Sequence, residues 1–425
     1  MTEQVFRLIP ATQSYPWGKK GSNSLVAQLA DGAGIPDFKI DESKPYAELW
    51  MGTHPNAPTR VLSTGHLLSE HLVAHPELVG ESVIKRFGLE NGQLPFLFKV
   101  LSFDKALPVQ IHPDKQTAEH IHLENPRAYV DSNHKPEMVL ALSEFTALCG
   151  FLPTFQVSEF LSVVPEFASL FPSDIVQNLK SVARSPDESE RKTALKELLS
   201  SYANVDNEKA SVQLKLLVER YRAGQESDEE KTVKSLVLQL HDMYQDDSGV
   251  FCAFILNYFN LKPGHAFSVA TGEPHAYITG DIIECMATSD NTIAVAFSPP
   301  EQRDVQNFLS NVQYNPTPGK TFIQPTMFTR GSTHTNGSLL YNPPIYELAV
   351  MQVIAAKGGT ESHHKLRGPS IAVVIEGEGT VVWAEGAKRL GVKKGQVVFI
   401  AAGTEVKFSA FETSFKLYRA FVEVG

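Results

Sequence analysis

Four side chains of metal-binding type stand out: Gln110 and His112 in PVQIHPDK, Glu137 in DSNHKPEM, and His275 in EPHAYITGDIIECMATSDN. Gln110 and His112 are two apart. Alternate positions of a strand point the same way, so these two can aim ligating atoms at one point. Glu137 comes twenty-five residues after His112, on a second proline-punctuated segment that could bring a carboxylate there. Two imidazoles, a carboxylate and an amide oxygen suit a borderline divalent metal with room left for water or a substrate. The expectation is a catalytic metal centre.

The elements that must position these groups fall into four stretches. From residue 1 to about 152, short apolar runs such as VFRLIPA, AELWMGTH, LPFLFKVLS and PVQIH read as strands, and NSLVAQLA and LLSEHLVAHP as short helices. From 153 to 248 apolar residues recur at three and four: Leu195, Leu198 and Leu199; Leu214, Leu217 and Val218; Val233, Leu236, Val237 and Leu240. That is amphipathic-helix periodicity, and four or five helices fit, with Asp187 and Ser227 as capping residues. Strand-like text resumes at 249, where LKPG follows an apolar run as a hairpin-type turn. From 326 to 425, period-two runs with glycine-rich turns read as a jelly roll. His363 and His364 are adjacent, would face opposite ways on a strand, and are taken as surface or loop residues.

The expected fold is mainly β with an all-α insertion, and because IEGEG and KKGQVVFIAAGTE resemble the two turns of a cupin barrel, the resemblance implies two cupin-like jelly-roll β domains plus a helical domain. The catalytic domain is discontinuous (1–152 with 249–325), the insertion covers 153–248, and the C-terminal cupin-like domain covers 326–425.

Composition bounds the partners. The chain has 425 residues, 42% hydrophobic and 20% charged, with a formal net charge of -10, which disfavours nucleic acid or an anionic membrane as partner. Cys149, Cys252 and Cys285 are odd in number, lack zinc-finger spacing and read as buried thiols of a reducing compartment. No apolar run approaches eighteen residues and MTEQVFRLIP has no signal-type core, so a cytoplasmic protein is expected.

In order along the chain, YPWGKKGSNS, KPYAELWMGTHP, LPFLFKVLS, QIHPDK, NHKPEM, LCGF, PHAY, GDIIECMATSDN and the C-terminal cupin-like region closely resemble type I mannose-6-phosphate isomerases. The resemblance implies a zinc-dependent interconversion of mannose 6-phosphate and fructose 6-phosphate through an enediol, supplying GDP-mannose synthesis and protein glycosylation. It implies one zinc per chain on Gln110, His112, Glu137 and His275, and a monomer whose partner is a small sugar phosphate. It puts Lys99 and Lys135 at the sugar-phosphate end. Lys135, Glu284 and Asp290 lie in matching motifs, and each is a candidate for the base or its orienting partner; Glu48 and Trp17 read as supporting residues, and Cys285 as a small buried hydrophobe.

Three positions depart from the family pattern. Ala294 stands where the family has an arginine serving the active site, Pro108 where it usually has a serine, and His265 where it tends to have a glutamate. A lost guanidinium removes a permanent charge with bidentate reach; Arg303, nearby in SPPEQRDV, could replace it through a shifted loop. The departures also leave room for a second reading, a divergent paralogue that keeps the metal but binds or senses a sugar phosphate. A bicupin iron oxygenase would need a histidine-rich centre, which an amide ligand does not fit.

Overall fold

A computed structural model describes residues 2–89, 91–315, 322–330 and 337–424. Among them the strands form an eleven-stranded sheet in the first three quarters of the chain and an eight- and a four-stranded sheet dominated by its end. The helices of the insertion follow Phe145–Phe151 and precede Leu256–Leu261 of the large sheet, and they have a core of their own, while the large sheet packs directly on the eight-stranded one. No helix among the described residues is long and apolar enough to cross a membrane.

The large sheet shows why alternation matters. Phe96–Phe103 lies at its centre, pairing on one side with Glu48–Met51 and on the other with the second half of His275–Ala287, which in turn pairs with Glu137–Ala141. In this register Trp50, Lys99 and Glu284 stand opposite one another, and Met286 stands opposite Glu137. Directly paired residues share a face, so one face of the sheet carries Glu48, Trp50, Lys99, Glu284 and Glu137. The intervening positions, Leu49, Met51, Phe98, Val100, Met138, Leu140, Ile283 and Cys285, are all buried in one apolar core on the other face. Cys285 is thus the small buried hydrophobe expected, and Lys99 is on a central strand.

His275–Ala287 is thirteen residues long and serves two neighbourhoods. Its first half pairs with Phe145–Phe151, its second with Phe96–Phe103 and Glu137–Ala141. The change occurs around Gly280, whose φ of 127° favours glycine and where a Cβ would lie 2.7 Å from the Glu144 carbonyl oxygen. On a regular strand His275 and Glu284, nine positions apart, would face opposite ways. The irregularity here lets both reach Glu137's side.

The LKPG turn does not close a hairpin. Leu256–Leu261 pairs with Phe145–Phe151 and Ala266–Val269 with Glu137–Ala141, so the strands flanking the turn have different, earlier partners. Register with distant strands overrode the local signal.

The insertion contains five helices of ten residues or more: Thr154–Val163, Ser173–Val182, Glu188–Tyr202, Asn207–Arg222 and Lys234–Met243. A four-residue helix, Pro165–Ala168, lies between the first two. Every apolar residue of the sequence periodicity is buried in their shared core. Asp187 caps one helix through the Ser189 N–H, and Ser227 accepts from the Glu230 N–H while Glu230 accepts from the Ser227 N–H.

The C-terminal sheets hold a buried polar chain that corrects the reading of His363. On Thr360–His363 alternate residues face inward, so Glu361 and His363 are buried and His364 is exposed. Arg419, fully buried, donates to His363 Nδ1 at 3.2 Å and to Ser370 Oγ at 2.8 Å. Nε2 of His363 then donates to Ser338 Oγ at 2.9 Å, and Ser338 donates to Glu361 Oε2 at 2.9 Å. Neutral groups thereby link a buried guanidinium to a carboxylate.

Candidate metal centre and active site

Glu137 begins the strand Glu137–Ala141 and His275 begins His275–Ala287, while Gln110 and His112 come from Val109–Ile111 and the residue after it. Gln110 stands opposite His275 in register. Ligating atoms of His112, Glu137 and His275 all lie within 4.8 Å of one another, and all three residues are buried.

The hydrogen bonds show what this cluster lacks. His112 Nδ1 donates to the Asn291 carbonyl at 2.8 Å and His275 Nδ1 to the Glu273 carbonyl at 3.0 Å. Each ring therefore presents a bare Nε2 lone pair inward. These nitrogens lie 3.1 and 3.7 Å from the Glu137 carboxylate oxygens, yet neither has a hydrogen-bond partner. Burial pushes both imidazoles below their usual value, His275 to about 4. Lone pairs converging on a carboxylate repel unless a cation lies among them, and a borderline divalent metal fits this donor set.

Glu137 is itself oriented. Tyr277 donates to Oε2 at 2.8 Å, and the Lys135 ammonium is 3.4 Å from Oε1 and donates to Thr292 Oγ1 at 3.2 Å. Tyr277 escaped the sequence reading, although its position two residues after His275 on the same strand was a signal. Asn291 and Asp131 were also missed. Asp131 accepts from Ser289 Oγ and from the Asp290 N–H, both at 2.8 Å, fixing the loop that carries Asn291.

Beside the metal cluster, Lys99 Nζ sits 3.1 Å from Glu284, 3.5 Å from Glu48 and 4.6 Å from the centre of the Trp50 ring. Trp50 Nε1 donates to Glu48. Burial works against the ammonium, but Glu284, Glu48 and Glu137 outweigh it and its pKa is raised. Glu284 is raised too, to about 7, by burial first and then by Glu137. The two directions agree once the groups are counted: the Lys99 ammonium is shared between Glu284 and Glu48 while Glu137 has Lys135, and burial beside Glu137 raises Glu284 even with Lys99 next to it.

Asp290 lies apart. Its carboxylate is 3.3 Å from His54 Nε2 and accepts from Asn56 at 2.6 Å, lining a cavity of about 550 Å³ with His54, Asp131 and Asn133. The metal trio is not part of that lining. Trp17 stacks on Tyr15 and Phe103 as packing, and His265 is exposed in its turn. Ala294 is buried on Ile293–Ala296, opposite Gln110 in register. Arg303 does not take the arginine's place, because its guanidinium donates to Asp247 at 2.7 Å and to the Ser298 carbonyl.

The catalytic domain of type I phosphomannose isomerase matches residues 5–154, and the helical insertion domain of the same enzymes matches residues 164–256. The mannose-6-phosphate isomerase of Cryptococcus neoformans var. neoformans serotype D is 44% identical over 442 residues, covering 100% of each chain. The chain belongs to the type I phosphomannose isomerase family. The Saccharomyces cerevisiae mannose-6-phosphate isomerase is 37% identical, again over 100% of both chains. A zinc-bound mannose 6-phosphate isomerase structure superposes with a TM-score of 0.80 at 27% identity, over 99% of this chain and 100% of that one. Solved Salmonella typhimurium phosphomannose isomerases include alanine variants of a glutamate and an arginine ten residues apart, a lysine and a glutamate two apart, and a lysine and a histidine thirteen apart. The same spacings here separate Glu284 from Ala294, Lys135 from Glu137 and Lys99 from His112.

Proposed function

We propose that this protein is a zinc-dependent mannose-6-phosphate isomerase that interconverts mannose 6-phosphate and fructose 6-phosphate. The observation that carries the reading is the pair of bare imidazole nitrogens around Glu137, beside a buried Glu284 poised near neutrality. Full-length relatives named as isomerases support turnover over a sensing role.

Gln110, His112, Glu137 and His275 would hold one zinc ion. Bound there, zinc would polarise the carbonyl and hydroxyl oxygens of the open-chain sugar and stabilise charge developing on them, worth several kcal/mol of barrier. Glu284 is the base of the proposal: a group near pH 7 can both take the proton from C2 of the aldose and return it at C1. Lys99 is the charge that sets Glu284 and, with Lys135, borders the substrate on the same face. Asp290 acts from the His54 side of the neighbouring cavity. The Salmonella spacings support assigning functional positions to Lys99, His112, Lys135, Glu137 and Glu284, and they support reading Ala294 as the counterpart of an arginine in that enzyme.

The division into a catalytic domain (1–152 with 249–325), an insertion (153–248) and a C-terminal β domain (326–425) is part of this reading, supported by where the helices begin and end. Three free, buried cysteines support a reducing compartment, the cytoplasm. A monomer feeding GDP-mannose synthesis completes the proposal. Chelator-stripped protein should regain turnover of mannose 6-phosphate on adding zinc; no turnover above a His112→Ala control would sink it.

A further inference from the structure

The strand that carries Gln110 is three residues long, with the Leu107 N–H donating to the Tyr277 carbonyl before it and the His112 carbonyl accepting from the Gly272 N–H after it, both at 2.7 Å. On one side it shares a single register pair with its neighbour, His275 with Gln110. On the other it pairs with Ile293–Ala296 through Ile293 with Ile111, Ala294 with Gln110 and Ala296 with Val109, with an irregularity between Ala294 and Ala296. Between those two ties, the longer of its two pairings is with Ile293–Ala296, so the position of Gln110 depends in part on what fixes that strand. Among the described residues that strand's other edge carries an isolated bridge from Ala294 to Arg303 and a bond from the Asp304 N–H to the Ala294 carbonyl at 2.9 Å.

Its end is fixed by a polar node. Arg303 donates from Nε and from a terminal nitrogen to the Ser298 carbonyl, at 2.9 and 2.7 Å, and to Asp247 Oδ2 at 2.7 Å. Asp247 also accepts from the Phe297 N–H at 3.2 Å and from the Gly249 N–H at 2.8 Å. Phe297, buried, has a φ of 57°. A bulky residue persists in that left-handed region only where its surroundings over-determine it. Here they do: its ring stacks on Tyr244 at 4.8 Å and its N–H is taken by Asp247. Gly249 presses on the same point, since a Cβ there would lie 2.6 Å from Ala296 Cβ. Tyr244, Asp247 and Gly249 end the helical insertion, so the node ties the insertion to the strand beside Gln110.

From this we infer that Asp247 and Arg303 are positioning residues for the metal centre, acting through Gln110. The inference rests on the proposed reading of Gln110 as a zinc ligand. A neutral amide is the weakest donor of the set, and a ligand displaced by a few tenths of an ångström no longer coordinates well. It also explains what Arg303 does in place of the guanidinium role that the sequence suggested for it.

The test is zinc affinity of the full chain, measured by competition with a chromogenic chelator and read beside the melting temperature of the metal-free protein. Arg303→Met should bind zinc on the order of ten- to a hundredfold more weakly. Arg303→Lys, which keeps a cation for Asp247, should recover part of that loss. The double variant Arg303→Met/Gln110→Ala should bind no more weakly than Gln110→Ala alone, because the loss acts through one ligand. Should Arg303→Met fail to fold, Asp247→Asn makes the same comparison. Wild-type affinity in folded Arg303→Met, multiplying losses in the double variant, or Gln110→Ala binding zinc like wild type each overturns the inference. An inactive zinc-loaded wild type would instead defeat the isomerase reading and leave the affinity comparison standing.

Discussion

Glu284→Gln tests the charge balance of the active site directly. Glu284 shares the Lys99 ammonium with Glu48 and faces Glu137 across the same buried surface. Its pKa rises from the usual 4.5 to about 7. A carboxyl whose folded value is raised contributes stability that is fully present below the unfolded value and lost as pH climbs through the folded one. At 1.36 kcal/mol per pH unit, the interval between 4.5 and about 7 comes to about 3 kcal/mol. Because the group is 3% exposed, solvent screening takes little from that figure. Glutamine keeps the shape and cannot ionise. Metal-free wild type should therefore lose about 3 kcal/mol relative to metal-free Glu284→Gln between pH 4 and pH 8, with the titrations of groups remote from this cluster cancelling in the difference. Urea unfolding of both proteins at pH 4, 6 and 8 reads it. A difference that stays flat with pH, or a wild type that gains on the variant as pH rises, would mean that Lys99 holds Glu284 as an ordinary ion pair, and the argument for its being the base would go with it. In the zinc-loaded enzyme the same substitution should lower kcat by on the order of a hundred- to ten-thousandfold, with KM little changed.

Other substitutions separate the remaining roles. Tyr277→Phe removes the hydroxyl that donates to Glu137 and should weaken zinc binding on the order of ten- to a hundredfold, read by chelator competition; unchanged affinity would show that Glu137 needs no orienting. Ala294→Arg restores a guanidinium opposite Gln110 and should raise kcat/KM for mannose 6-phosphate by at least about tenfold. No gain in that variant would mean that Lys135 already supplies the charge. Ser338→Ala breaks the chain from Arg419 to Glu361 and should cost about 1–3 kcal/mol in unfolding free energy while leaving zinc affinity alone.

Part of this site could be read from residue types and spacing. His112 does come together with Glu137 and His275, and the three-and-four periodicity of 153–248 does bury its leucines. Other features depend on long-range register. Nothing in IIECM shows that Glu284 stands opposite Lys99, or that Gly280 changes the facing of the strand so that His275 and Glu284 both come to Glu137's side. His363 was misplaced for a related reason: adjacency correctly puts His363 and His364 on opposite faces, but which face is inward depends on Ser338 and Arg419, far away in sequence. LKPG misled because the strands on either side of it were already committed to earlier partners. Arg303 shows the same limit for a charge, since only the fold reveals Asp247 beside it.

The first strand of the chain, Val5–Ile9, is paired with Val397–Ile400 in a sheet otherwise built mainly from the last hundred residues. Val5 faces Ile400, 395 positions later (400 minus 5). At about 5–20 residues per second on the ribosome, the partner follows about 20–80 s behind. Through that interval the apolar segment VFRLI has Arg60–Val61 but not Val397–Ile400 to pair with, and the sheet it belongs to can close only after residue 400 has been made. Until residues 397–400 are made, one edge of this strand is open to pairing with another chain, and that exposure is a consequence of sequence separation alone.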